Sequence, residues 1–142
     1  MSYYNVPLVV GAALSAIAAL LHLCVILGGP EWYRFFGAGE RMAKGAAAGH
    51  LYPALVTLLI AGVLCTWAAY ALSGAGVLQQ LPLQSVVLPA ITAAYLLRGL
   101  VVVALFVFDR KRLTAFWIWS SVICLAFGVV HLVGLIQVWG SL

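Results

Sequence analysis

The chain has 142 residues, 66% of them hydrophobic and only 7% charged. Soluble domains carry about 25% charged residues, and a chain this short has too few polar groups to cover so much apolar surface, so a single membrane domain over residues 1–142 is expected. The net charge of +4 rests on seven cations, six of them beside the apolar runs and one within a run, rather than on one basic face, which excludes a nucleic-acid-binding protein.

A membrane-crossing helix needs about 20 apolar residues, and four segments supply them. The first is 7–28. It follows Met-Ser-Tyr-Tyr-Asn without the positive leader of a signal peptide, so it is expected to stay as a transmembrane helix. Gly11, Ser15, Ala19 and His22 share one of its faces. The connection 29–45 comes next. Gly28, Gly29 and Pro30 are expected to end the first helix. Glu31 to Phe36 then form a short amphipathic piece with four aromatics, and Gly37 and Gly39 break it. Such a segment is expected in the interface plane, as the lid of a cytoplasmic site or as an anchor. Its GAG lacks the GxGxxG spacing of a dinucleotide loop.

The second span is 46–73. Pro53 either kinks it or marks its start, and in the second case His50 stands at its N-terminal edge. An uncharged connection, 74–82, leads to the third span, 83–108, which contains Pro89 and Arg98. The short connection 109–113 forces the fourth span, 114–139, to be an antiparallel neighbour. On that span Ser121, Cys124, Gly128, His131 and Gly134 form a second stripe of small and polar residues. Such stripes let membrane helices approach closely. Unclosed strands would leave backbone groups unsatisfied in lipid, so the expected fold is all-α, an integral membrane antiparallel four-helix bundle. Cys24, Cys65 and Cys124 stand alone in apolar runs and are read as small buried apolar residues.

Orientation follows from the cations. Arg34, Arg41 and Lys44 lie in the first connection, and Arg110, Lys111 and Arg112 in the third. The termini and the 74–82 connection have none. The positive-inside rule places 29–45 and 109–113 in the cytoplasm and both termini outside. Tyr3, Tyr4, Trp67, Tyr70 and Trp139 would then form the outer aromatic belt, and Trp32, Tyr33, Phe35, Phe36 and Trp117 the inner one.

Arg98 is the lone charge in its span. Its guanidinium cannot shed its proton, and at the bilayer centre it costs about 2.5–3.5 kcal/mol or more. It needs an anionic partner, water or a ligand. Counted along the helices, His22, His50, Tyr95 and Arg98 fall toward the cytoplasmic side, where Glu40 also lies, while His131 falls in the outer half. The first reading is therefore a cytoplasm-facing intramembrane site for an amphipathic, lipid-like or quinone-like ligand, built from Arg98, Tyr95, His22, His50 and Glu40. Arginine suits bidentate recognition of a phosphate or carboxylate. An alternative is a non-catalytic accessory or structural subunit of a larger membrane complex, or a homo-oligomer, with Arg98 neutralised internally by Glu40 or by carbonyls freed near Pro89. A third is haem or metal ligation by His22 and His50, although HxxxH, ExxH and CxxCH are absent. Catalysis comes last, as proton transfer by His22, His50 and Glu40, since Ser120 and Ser121 lie in no nucleophile elbow.

The segment GGPEWYRFFGAGE, together with YLLRG around Arg98, resembles a group of small bacterial four-helix inner-membrane proteins of unknown function. The resemblance implies four spans in a bacterial inner membrane. It implies no reaction, ligand or catalytic residue.

Overall fold

The computed structural model describes residues 4–141, except for the Arg112 side chain. Tyr3, assigned above to the outer belt, lies outside the described residues. Five α-helices follow one another: α1 (Val6–Phe35), α2 (Glu40–Ala47), α3 (Tyr52–Gly74), α4 (Gln84–Phe108) and α5 (Ala115–Val138). Single 3-10 turns occupy Arg110–Arg112 and Trp139–Ser141.

Five helices, not four, correct the expected four-helix bundle, and the difference lies between residues 29 and 51. Gly29 adopts φ 67° and ψ −154° and kinks α1, but it does not end it. Only glycine reaches that region without strain. Pro30 opens a new helical turn, and the chain stays helical to Phe35. Residues 40–47, partly assigned to the second span, form the separate helix α2. Gly49 at φ 73° ends it, as a left-handed C-terminal glycine does. Pro53 then sits in the first turn of α3, where its missing N–H costs nothing. It marks a start, not a kink, and His50 lies in the turn before α3. Pro89 is different, because it lies inside α4.

α1, α3, α4 and α5 are each long and apolar enough to cross a membrane. Beside Leu8, Leu88 and Ile91, much of what they bury is small or polar. Ala12, Ala19, Ala61, Ala68 and Ala71 are buried with Ser15, Thr57, Thr92 and Ser121, whereas Leu20, Leu59, Val86, Val107 and Ile136 are exposed. Small and polar residues at the contacts, with many large aliphatics turned outward, suit close helix packing in lipid. Cys24 and Cys65 are exposed and Cys124 half-buried, which corrects the expectation that all three are buried.

The chain forms two compact units, and both boundaries fall inside helices. One unit comprises the described parts of 1–14 and 67–142, the other Ser15–Thr66. In the first, α4 and α5 pack antiparallel. Gly99 lies against Leu125, and Gly128 against Leu96, so closely that a Cβ on either would fall within 3.1 Å of the facing backbone nitrogen. One end of this unit gathers four helix termini. The Asn5 side chain caps α1 by accepting the Leu8 N–H (2.9 Å) and donates to Gln137 near the end of α5 (2.8 Å). The Asn5 N–H donates to the Ala75 carbonyl just past α3 (3.1 Å). Gly74 and Leu88 meet at the start of α4. Ser73 Oγ donates to Gln84 Oε1 (2.7 Å) and accepts the Leu81 N–H (3.0 Å), which ties down the 75–83 connection. The starts of α1 and α4 and the ends of α3 and α5 therefore share one end.

In the second unit Tyr33 is 2% exposed and packs with Val25 and Ala43. Its hydroxyl bonds Thr57 Oγ1 at 3.2 Å, so Tyr33 is a core residue and not part of an aromatic belt. Gly45 of α2 lies against Pro53 of α3, which sets α2 beside the start of α3.

Candidate functional site

The register of α4 on α5 shows where Arg98 sends its charge. Gly99 opposite Leu125 and Leu96 opposite Gly128 place Arg98 level with Ala126. Yet Arg98 Nη2 donates to Ser120 Oγ (3.0 Å) and Nη1 to Ser121 Oγ (3.4 Å). The guanidinium also lies over the Trp117 ring, 4.8 Å from its centroid. These partners lie five or more residues nearer the 109–114 connection, about 8 Å or more along α5. Helical side chains lean toward the N-terminus; Arg98 reaches the other way, toward the end that carries Arg110 and Lys111. This is snorkelling, in which the aliphatic stem stays in the apolar layer and the charge is carried toward an interface.

The charge itself is not neutralised. Both hydroxyls and the indole are uncharged. Each described ion pair belongs to Arg34, with Glu31 (2.7 Å) and with Glu40 (3.0 Å). Hydrogen bonds to a charged group contribute about 1.5–3 kcal/mol and a cation–π contact about 0.5–2 kcal/mol. That is enough to hold the guanidinium in place and leaves its full positive charge for an anion or a carbonyl oxygen.

Of the other residues expected at this site, Tyr95 stands one turn from Arg98 on the same helix. It is buried, and its ring packs on Trp67 (4.9 Å between centroids), Phe127 (5.5 Å) and His131 (5.1 Å). His22, Glu40 and His50 lie in the Ser15–Thr66 unit. His22 Nδ1 donates to the Ala18 carbonyl of its own helix (2.7 Å). Glu40 is exposed and paired with Arg34, and His50 is exposed in its turn. Among the described residues no printed contact joins these three to one another, and no group of three or more His, Cys, Asp or Glu side chains could hold a metal ion.

Depth counting set His131 apart from the site, yet the structure puts it against Tyr95. It is fully buried. Its Nδ1 donates to the Phe127 carbonyl (2.8 Å), and its Nε2 has no partner among the described residues. Gly11 leaves room for the ring, since a Cβ there would come within 2.7 Å of it. Sequence reasoning also missed Ser120, Ser121 and Trp117 as Arg98 partners. The signal was available: two adjacent hydroxyls and an indole in the first two turns of the antiparallel neighbour.

No family model, curated protein or solved structure matches the chain. The resemblance to small bacterial four-helix membrane proteins is therefore withdrawn. The quoted residues find no family, and the five-helix architecture departs from it.

Proposed function

We propose that the chain is a multi-pass protein of a bacterial inner membrane that binds an amphipathic, lipid-like or quinone-like molecule at an intramembrane site centred on Arg98. In this reading both termini are periplasmic and the connections 29–45 and 109–113 are cytoplasmic. The distribution of cations supports that orientation, as does the end of the molecule where Asn5, Ala75, Gln84 and Gln137 meet without a lysine or arginine among the described residues.

One observation carries the proposal: a partly buried guanidinium in a membrane-length helix has hydroxyls and an indole around it in place of a carboxylate. A purely structural arginine is costly there and is retained when paired. Ser120 and Ser121 fix the fork, and Trp117 covers one of its faces. The open donors meet a ligand's phosphate, carboxylate or carbonyl oxygen, and the ligand's apolar part lies among the exposed aliphatic side chains of the span. Tyr95, one turn deeper, holds the α4–α5 seam in shape. His22, His50 and Glu40 enter the proposal only as groups of the other unit.

The test is solvent extraction of the detergent-purified protein, with mass identification of what is released from wild type, Arg98→Lys and Arg98→Leu. A single class of anionic or carbonyl-bearing amphiphile, abundant in wild type, reduced in Arg98→Lys and absent from Arg98→Leu, is expected. The same lipid mixture from all three would refute the proposal.

A further inference from the structure

Three oxygen chemistries fit an arginine anchor: a phosphate, a carboxylate, or the carbonyl of a neutral ring. The Arg98 guanidinium itself separates them. An arginine carries five N–H donors in a rigid planar fork. Nη2 of Arg98 gives one to Ser120 Oγ (3.0 Å), and Nη1 gives one to Ser121 Oγ (3.4 Å). The two hydroxyls are neighbours in the chain and each takes a different Nη, so they hold the Nη1–Nη2 end of the fork. The Trp117 ring lies over one face, and a stacked ring blocks no edge. Arg98 bonds the described residues through Nη1 and Nη2 alone, so its Nε–H has no acceptor among them. That N–H runs parallel to one on the neighbouring Nη. The open part of this half-buried residue is therefore a side edge with two parallel donors.

We infer, resting on the Arg98 reading, that this edge takes the two oxygens of an anionic amphiphile's carboxylate or phosphate, and that a neutral quinone is a poor ligand. Two parallel N–H groups match two oxygens of one anion. A carbonyl offers a single oxygen and leaves a donor open. Charge decides in the same direction. The described ion pairs belong to Arg34, so Arg98 has no carboxylate of the described residues beside it. Only an anionic ligand gives this partly buried charge its pair. The depth suits a headgroup. Ser120 is five residues inside the start of α5 at Ala115, about 8 Å along the helix. With its 24 residues α5 is about 36 Å long, against a hydrocarbon core about 30 Å thick. Centred in that core, α5 holds the guanidinium roughly 5 Å inside its edge. A headgroup reaches that level while its chain stays in lipid.

The test is native mass spectrometry of the full chain, delipidated in an uncharged detergent. It is offered equal amounts of oleate, palmitoyl-oleoyl phosphatidylglycerol, palmitoyl-oleoyl glycerol and a short-chain menaquinone. A hydrogen bond to a charged group is worth about tenfold or more in binding. Wild type should therefore take up at least one of the two anions about tenfold or more in preference to both neutral amphiphiles. Preference for oleate supports a carboxylate as the ligand group, and preference for phosphatidylglycerol a phosphodiester. Arg98→Lys keeps the charge but loses the edge, and should bind the anion about tenfold more weakly. Arg98→Leu should show no preference. Equal uptake of all four by wild type would overturn the inference without recourse to a variant. Menaquinone taken up by wild type as well as the anions, and lost in Arg98→Leu, would overturn it and leave the Arg98 reading standing. An anion preference that survives in Arg98→Leu would overturn both. Arg98→Lys binding the anion as tightly as wild type would reduce Arg98 to a point charge and overturn the paired edge.

Discussion

Two residues of the α4–α5 unit sit in environments that cost free energy. Arg98 keeps a full charge among neutral partners. Replacing such a buried charge by an apolar residue is often neutral or stabilising, so detergent-solubilised Arg98→Leu should melt at the wild-type temperature or above it. A large loss of stability would mean that Arg98 is structural. His131 is the second case, with its Nε2 unsatisfied and its ring against Gly11. Gly11→Ala should cost about 1–3 kcal/mol by overpacking. His131→Ala should relieve much of that cost, and a double-mutant cycle on thermal stability measures the coupling. Additive effects would show that the two do not touch. At this scale Arg98 was legible in the sequence because an uncompensated charge in an apolar run needs no neighbour to be noticed. The role of His131 was not, because depth counted along one helix does not say which residue of another helix lies opposite.

Helix packing here depends on where glycines allow backbones to meet. Gly99 and Gly128 face backbone atoms of the opposite helix, which no rotamer change can move away, while Gly62 has nothing within 4 Å of its missing Cβ. Gly99→Ala should therefore destabilise by about 1–3 kcal/mol, and Gly62→Ala should be neutral or stabilising by up to about 1 kcal/mol. Equal effects in thermal melts would contradict the seam. In the other unit, Tyr33→Phe removes a buried hydrogen bond to Thr57 and should cost about 1 kcal/mol by the same measurement. The four long helices were legible from hydropathy. α2 was not, because Ala46, Ala47 and Ala48 read as the start of a span. The break comes from the positive φ of Gly49 and the proline of the next helix start, and only their combination reveals it. The stripe of Ser121, Gly128, His131 and Gly134 was legible as a packing face, and Ser121 turned out to hold Arg98 as well.

For the whole molecule, the first claim to check is orientation. A C-terminal alkaline phosphatase fusion should be active and a C-terminal green fluorescent protein dark, because both termini are placed outside; the reverse pattern would invert the topology. That orientation is proposed from six flanking cations, and the clustering of four helix termini at one end without lysine or arginine among the described residues supports the same count of crossings. What Arg98 can bind was not readable from sequence, because that depends on which uncharged groups surround it, and Trp117, Ser120 and Ser121 come from the next helix, about twenty residues on. The account stands or falls on Arg98 as a ligand anchor, so the decisive measurement is native mass spectrometry of the purified chain beside Arg98→Lys and Arg98→Leu. We predict a co-purifying mass that is present in wild type, reduced in Arg98→Lys and absent from a folded Arg98→Leu. An unchanged set of bound masses in Arg98→Leu would contradict it.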